Sequence, residues 1–348
     1  AFGKSLPWKS ELAAAVARAA GVRLAFDETA GASVRRFFEE RGMKMRETDP
    51  KQTMLPEGAV CIPNSVGSAP GFSLNVGRCR VYVMPGVPFE MEIMMTASVL
   101  PDIVSRQAGG NLHAAGRTLS VFGLPESEVG RLIAGIPERF PGARYGIRVS
   151  FPEMFVRIST RDQRKDAAEA LVEKAARWTQ ETIGECVFSG QGLSLPAEVG
   201  RLLAEKKKTV AVAESCTGGL VGHLLTNNPG SSDYFLLSAV TYANTAKTAV
   251  IGVPQETIDR YGAVSEETAR AMAAGVRRLT GADYGLAISG IAGPSGGSTD
   301  KPVGTVCIGL AAPEGEFGRT LKLSFQNRSM NKRIFAFAAL EMLRRQLR

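Results

Sequence analysis

Three stretches of the chain hold residue types that could act on one substrate together. The first is Val212-Ala213-Glu214-Ser215-Cys216-Thr217-Gly218-Gly219. A buried strand ends here and a helix begins, with hydroxyls and glycines at the turn. The unpaired N–H groups of a helix N-terminus, with the positive end of its dipole, can hold an anion. Ser215 and Thr217 would add hydroxyl donors, while Gly218 and Gly219 would let a ligand approach the backbone. A plainer role for Ser215 or Thr217 is to cap the helix.

The second stretch is Pro229-Gly230-Ser231-Ser232-Asp233, followed by Thr241-Tyr242-Ala243-Asn244-Thr245-Ala246-Lys247. A serine, a tyrosine and a lysine that converge can cleave an amide without histidine. A lysine made neutral by desolvation or by a neighbouring cation takes the serine proton. The tyrosine relays that proton or donates to the departing ammonia. Read alone, the same residues make a turn and a solvated helix. The chain has only two histidines, His113 and His223, so a Ser-His-Asp triad is a poor fit. Five cysteines, Cys61, Cys79, Cys186, Cys216 and Cys307, lie scattered with no CxxC spacing. That argues against a zinc site and against a disulfide framework.

The third stretch, Ile288-Ser289-Gly290-Ile291-Ala292-Gly293-Pro294-Ser295-Gly296-Gly297-Ser298, directly follows a strand. Such a loop supplies backbone donors for a phosphate or an oxyanion. It is not a dinucleotide fingerprint, because Pro294 interrupts it and no helix follows. Lys301-Pro302-Val303-Gly304-Thr305 ties it to the next strand, and Phe325-Gln326-Asn327-Arg328 then puts an arginine between a strand and the last helix, where it could pair with phosphate. Ser329-Met330-Asn331-Lys332 fits the S-x-x-K pattern of penicillin-recognising enzymes, but neither S-D-N nor K-T-G accompanies it, so the match is chance.

These residues must be positioned by a chain of 348 residues, long enough for two or three domains. A composition 44% hydrophobic and 22% charged is that of a globular protein rather than a disordered one. No run of 18 apolar residues occurs, so no membrane span is expected. The chain opens Ala-Phe-Gly with no export signal behind it, and the expected location is the cytoplasm. A net charge of +8 invites a nucleic-acid reading. The basic residues are mostly interspersed with acids, however, and the runs at 206–208 and 344–348 sit near helix ends, where cations favour the dipole. An anionic small substrate explains a basic pocket equally well, and no nucleic-acid partner is expected.

Periodicity separates three segments. The first, 1–107, mixes helical patterns over 11–20 and 29–41 with short strands at 60–62 and 80–84, then a break at Pro85-Gly86-Val87-Pro88 and a Met-rich helix from about Glu90. The second, 113–190, reads as a small α+β module with strands at 117–122 and 154–160 and helices at 127–134 and 164–182. The third, 194–348, alternates helices at 197–205, 218–225, 266–280 and 331–347 with strands at 209–213, 284–289 and 303–311 and an apolar stretch at 235–242. That alternation predicts a layered α/β domain with helices covering a sheet.

Six ordered blocks of the third segment, AESCTGG, PGSSDYF, TYANTAK, YGAVSEETA, SGIAGPSGGS and KPVGTV, resemble the CinA family of competence and damage-inducible proteins. The resemblance implies that this domain is a nicotinamide-nucleotide amidase, turning nicotinamide mononucleotide into nicotinic acid mononucleotide and ammonia without a cofactor. It puts catalysis on Ser232, Tyr242 and Lys247, with Ser215 as the rival nucleophile. Thr217, Gly218, Gly219, Ser289, Gly290 and Arg328 become candidates for holding phosphate and ribose. Two departures from the family pattern are Ser289, often a threonine, and Gln326-Asn327, often Gly-Asp.

The first segment, through Leu55-Pro56-Glu57-Gly58-Ala59, Gly67-Ser68-Ala69-Pro70-Gly71 and Pro85-Gly86-Val87-Pro88-Phe89-Glu90-Met91, is similar to the family's molybdopterin-binding-like domain. In some members that domain hydrolyses ADP-ribose with a divalent metal. The GGLGPT-type loop and initial βαβ unit of that domain are missing before Glu11. The middle segment resembles the family's KH-like module, without a GxxG loop. The resemblance thus implies a multidomain α/β protein that forms a homodimer and acts on a small nucleotide. The rival expectations are the metal-dependent ADP-ribose hydrolase and a non-catalytic adaptor for DNA uptake or damage.

Overall fold

The computed structural model describes residues 8–44, 49–106, 112–325 and 327–348, in two compact units, Ala1–Gly110 and Asn111–Arg348. The first is assembled from short elements. Helix α1 (Trp8–Ala20) buries Ala13 and Ala17, four residues apart and so on one face. Strand β1 (Leu24–Phe26) leads to α2 (Glu28–Glu39), whose start is capped by the Asp27 carboxylate accepting from Ala30 N–H at 2.7 Å. Strand β2 (Met54–Pro56) pairs antiparallel with β1, while β3 (Val60–Ile62), β4 (Gly71–Val76) and β5 (Cys79–Val83) form a separate antiparallel sheet. Helix α3 (Pro88–Met94) starts on a proline and passes through a π-helical turn into α4 (Leu100–Arg106). The Tyr82 hydroxyl donates to Asp102 at 2.7 Å, tying α4 to β5.

The second unit begins with β6 (His113–Val121), α5 (Glu126–Ile133), α6 (Ile136–Arg139), β7 (Arg144–Ser150), β8 (Glu153–Asp162), α7 (Lys165–Ile183) and β9 (Val187–Ser189). The strands make an antiparallel sheet in the order β7-β8-β6-β9. One face of this sheet is apolar: Leu119, Met154, Val156 and Ile158 are buried with Val129, Ile133, Ala175 and Ala176 of the helices.

The rest of the unit holds α8 (Leu195–Glu205), β10 (Val210–Glu214), α9 (Leu220–Thr226), β11 (Phe235–Val240), α10 (Asn244–Ile251), α11 (Gln255–Tyr261), α12 (Glu266–Thr280), β12 (Tyr284–Gly290), β13 (Thr305–Ala312), β14 (Gly315–Lys322) and α13 (Arg328–Gln346). The sheet runs β11-β10-β12-β13-β14, with β10 parallel to both neighbours and β13 and β14 antiparallel. β10 is buried along its whole length. Val210 and Val212 point into a core with α8, α9 and α13, and Ala211 and Ala213 into a second core with α12. A strand covered on both faces reads as a continuous apolar run, as Val210-Ala211-Val212-Ala213 does.

α12 is held by its ends and by what it lies on. Ser265 caps it, Glu266 and Glu267 occupy its first turn, and Arg277 and Arg278 its last. Its backbone lies directly on the sheet: a Cβ added at Gly309 would strike the Ala269 carbonyl, and one at Gly285 the Ala273 carbonyl. The second and third segments of the sequence share one compact unit. The Ser120 hydroxyl donates to the Leu193 carbonyl at 2.7 Å, Leu195 N–H donates to the Glu153 carboxylate, and Arg333 Nε donates to the Phe151 carbonyl at 2.7 Å. α13 also begins at Arg328, a turn earlier than the sequence suggests, and no expectation covered β7 or β14. β14 is a solvated edge strand with two glycines, so it carries no apolar alternation to read.

The close helix–sheet approach gives a stability prediction. Gly309→Ala should cost about 2 kcal/mol or more, because backbone rather than a flexible side chain must give way. Gly146→Ala, with open space around its added methyl, should change stability by less than about 0.5 kcal/mol. Urea denaturation of the two variants beside the parent checks both.

Candidate active site

In open α/β sheets the crevice lies beyond the carboxyl ends of the strands, where successive connections leave in opposite directions. Here that point is the end of β10, because β11 lies on one side of it and β12 on the other. Ser215 is the next residue.

Glu214 sets the local backbone. Its fully buried carboxylate accepts N–H bonds from Gly219 at 3.0 Å, Val221 at 3.1 Å and Gly222 at 2.9 Å, and a hydroxyl bond from Ser238 at 3.0 Å. The α9 terminus is therefore already satisfied by a carboxylate of the chain itself. This corrects the expectation that the helix end offers free donors to a substrate anion. Gly219 N–H is committed to Glu214, and Gly218 N–H to the Ser215 carbonyl at 3.1 Å. The N–H groups of Cys216 and Thr217, in the same turn, find no acceptor among the described residues.

Lys247 is 1% exposed and reaches this turn from α10. Its Nζ lies 2.9 Å from the Thr241 carbonyl, 3.1 Å from the Tyr242 carbonyl and 3.3 Å from Ser215 Oγ. Burial pushes its pKa below the ordinary 10.5. The amino end of α10 disfavours the ammonium further. Ser215 is partly exposed, so its oxygen is held by the base and remains open to a ligand. Cys216 does not compete, since burial pushes its thiol up to about 12.

The other predicted residues divide. Tyr242 is brought in: Arg328 Nη2 donates to its hydroxyl at 3.0 Å, while Arg328 Nη1 donates to the Gly293 carbonyl at 2.7 Å. Arg328 thus spans the mouth of the site from the first turn of α13 to the glycine-rich loop. Gln326, in the departing Gln-Asn-Arg, lies outside the described residues. Thr217 Oγ1 is buried with no hydrogen-bond partner. Gly290 leaves room for close packing, as a Cβ there would sit 3.3 Å from Cys216 Sγ. Ser289 is not available: its hydroxyl is buried and donates to the Ala263 carbonyl at 2.6 Å. Ser232 is apart. It is exposed in the turn that enters β11, at the Val210–Phe235 end of the strand pair, whereas Ser215 follows the Glu214–Val240 end. Four residues of strand separate the two ends, roughly 13 Å.

Three residues of the site had no functional reading from sequence. Glu214 is one, legible only as a charge ending an apolar run. Lys332 is another: its Nζ lies 3.5 Å from where a Cβ on Gly218 would be, one helical turn beyond Arg328 on the same face. Asn331 is the third. It is 1% exposed, accepts from Phe325 N–H at 2.7 Å and donates to the carbonyls of Phe325 and Ala292. It thereby fixes the residues on both sides of Arg328. Phe325 is in turn met edge-on by Phe151 of the β7–β8 turn, with ring centres 4.9 Å apart.

Fold and site together define a layered α/β domain with a serine–lysine pair at the switch point of its sheet and two cations at the mouth. Comparison with known proteins carries the assignment further. Residues 193–347 match the CinA C-terminal domain and residues 116–189 the KH domain of damage-inducible protein CinA. A CinA-like protein of Desulfosudis oleivorans is 60% identical over 96% of this chain and 81% of its own length. Another, of Desulforapulum autotrophicum, is 47% identical over 89% and 74%. A solved competence/damage inducible protein of Agrobacterium tumefaciens, 37% identical, is matched over 43% of this chain and 94% of its own, with a TM-score of 0.41. The chain belongs to the CinA family.

Among the described residues no helix is long and apolar enough to cross a membrane, and no three His, Cys, Asp or Glu side chains are grouped to hold a metal ion.

Glu214→Ala should be among the most damaging single changes in this domain. It leaves three N–H groups, two of them buried, without an acceptor, and at about 1 kcal/mol or more apiece the loss should reach about 2–3 kcal/mol. A denaturation midpoint close to the parent's would contradict the role given to this carboxylate.

Proposed function

We propose that the domain formed by residues 194–348 hydrolyses the carboxamide of nicotinamide mononucleotide to nicotinic acid mononucleotide and ammonia. The observation that carries the reading is the buried Lys247 Nζ, set between the carbonyls of Thr241 and Tyr242 and 3.3 Å from Ser215 Oγ. In this mechanism Ser215 Oγ attacks the carboxamide carbon as Lys247 Nζ takes its proton. The N–H groups of Cys216 and Thr217 meet the oxygen that becomes negative. The carbon–nitrogen bond then breaks, and the proton passes from Lys247, by way of the Tyr242 hydroxyl, to the nitrogen leaving as ammonia. The acyl group on Ser215 is released by water, which Lys247 deprotonates. Arg328 and Lys332 face the substrate phosphate. The homodimer implied by resemblance is part of the same proposal; Leu236 and Val240 stand exposed on the edge strand β11.

Ammonia release from nicotinamide mononucleotide tests the reading. Ser215→Ala and Lys247→Ala should each lose about a thousandfold or more in kcat, and Ser232→Ala should stay within about twofold of the parent. No release from folded parent protein, or full activity in Lys247→Ala, would overturn it.

The buried amine also has a stability signature. Because folding lowers the Lys247 pKa below 10.5, the unfolded chain binds that proton more tightly than the folded one. Folded stability should therefore rise with pH from the depressed value up to 10.5, and the cost of burying the charge should be fully present below that window. Lys247→Met should flatten this rise, which denaturation of parent and variant at about pH 7 and pH 10 would show as a shrinking difference between them.

A further inference from the structure

Helix α13 carries both cations of the site's mouth, Arg328 and Lys332, near its amino end. Farther along, it lies against the antiparallel β7-β8-β6-β9 module. Arg333 Nε donates to the Phe151 carbonyl at 2.7 Å, the Phe337 and Phe122 ring centres are 6.3 Å apart, and Arg345 pairs with Glu185 at 3.3 Å. Just past the helix, Arg348 Nη2 donates to the Val187 carbonyl at 3.1 Å. At 3.6 residues per turn, positions 333, 337 and 345 fall on one side of α13, and 328 and 332 on the opposite side. The helix therefore rests on the module with one side and presents its cations to the site with the other.

The β7–β8 turn is the part of the module nearest those cations in the contact chain. Glu153, two residues past Phe151, is buried, and its carboxylate accepts the Leu195 N–H at the start of α8. Turns ordinarily carry small or polar residues, yet here a half-buried phenylalanine meets Phe325 edge-on, with ring centres 4.9 Å apart. Both backbone groups of Phe325 bond to the Asn331 side chain, whose Nδ2 also donates to the Ala292 carbonyl at 3.0 Å. Arg328 Nη1 donates to the following carbonyl of that loop, Gly293, at 2.7 Å. Arg328 itself is exposed, and the Gly293 carbonyl and Tyr242 hydroxyl orient its charge without neutralising it. A long exposed side chain meets one phosphate well only when its surroundings aim it.

We infer that the antiparallel module is a positioning element for the phosphate end of the substrate site, with Phe151 as the positioning residue that sets Arg328 through Phe325 and Asn331. This rests on the reading that residues 194–348 deamidate nicotinamide mononucleotide. Phe151 touches no reacting atom. Ser215 and Lys247 are held by bonds within the α/β domain, to the Ile288, Thr241 and Tyr242 backbone. Loosening the turn therefore weakens the grip on the phosphate and leaves the serine–lysine pair in place.

Steady-state ammonia release from nicotinamide mononucleotide by the parent, Phe151→Ala, Arg328→Ala and the double variant tests this. Phe151→Ala should raise KM about tenfold and keep kcat within about threefold, since the phosphate contact is made equally in ground and transition states. Arg328→Ala should raise KM at least as far. Adding Phe151→Ala to it should change KM by less than about twofold, because both changes act on one contact. Phe151→Leu keeps an apolar side chain against Phe325 and should fall between the parent and Phe151→Ala; it takes over the test if the alanine variant does not fold. Unchanged KM in the folded Phe151 variants, a fall in kcat at constant KM, or losses that multiply with Arg328→Ala would each overturn the inference and leave the amidase reading standing. No ammonia from the folded parent would overturn both.

Discussion

A carboxylate buried at the end of a strand organises the catalytic half of this protein. Among the described residues Glu214 makes no ion pair; its carboxylate is met by three backbone N–H groups and one hydroxyl. A charge placed so deep is tolerated only when its lone pairs are filled. Filling them forces α9 to begin in one place, with Gly218 and Gly219 at positive φ to make the turn. Ser215, Cys216 and Thr217 are the residues caught between the anchored strand and the anchored helix. Ser238, the fourth partner, ties β11 to the same point, and β11 leads straight into the carbonyls of Thr241 and Tyr242 that receive Lys247. Serine and lysine come from distant parts of the chain and meet because one carboxylate holds both approaches.

Much of this was legible before any coordinates. The strand–turn–helix at Ser215, the layered α/β architecture and α12 to the residue follow from period and capping chemistry, whereas Tyr242 and Lys247 were singled out by resemblance to the family. What was not legible depended on contacts across the chain. Glu214 looks like any acidic residue until the three N–H groups it faces are known. Ser232 looks as good as Ser215, since both follow glycine-rich or apolar signals, and only the parallel register of β10 and β11 shows them at opposite ends. Ser289 reads as a ligand residue because loops after strands often are, but the Ala263 carbonyl already occupies it. Arg328 was found for its charge, although its place on the first turn of α13 rather than before it was not.

The mouth of the site is held from outside the domain that contains it. Arg328 is placed by Asn331, which bonds to Phe325, which packs on Phe151 in the β7–β8 turn; Arg333, the second residue beyond Asn331, bonds to the carbonyl of that same Phe151. The α+β module and the α/β domain share one compact unit for this reason, and the segment between them is a structural seam rather than a tether.

The cysteine next to the nucleophilic turn has a practical side. Cys216 is buried and its thiol stays protonated well above neutral pH, so peroxide and alkylating reagents have little thiolate to attack there. Of the five cysteines only Cys79 is exposed, on a strand of the first unit. A maleimide dye therefore has a natural attachment point far along the sequence from Ser215, and the protein can be labelled at native cysteine with its serine–lysine pair left untouched.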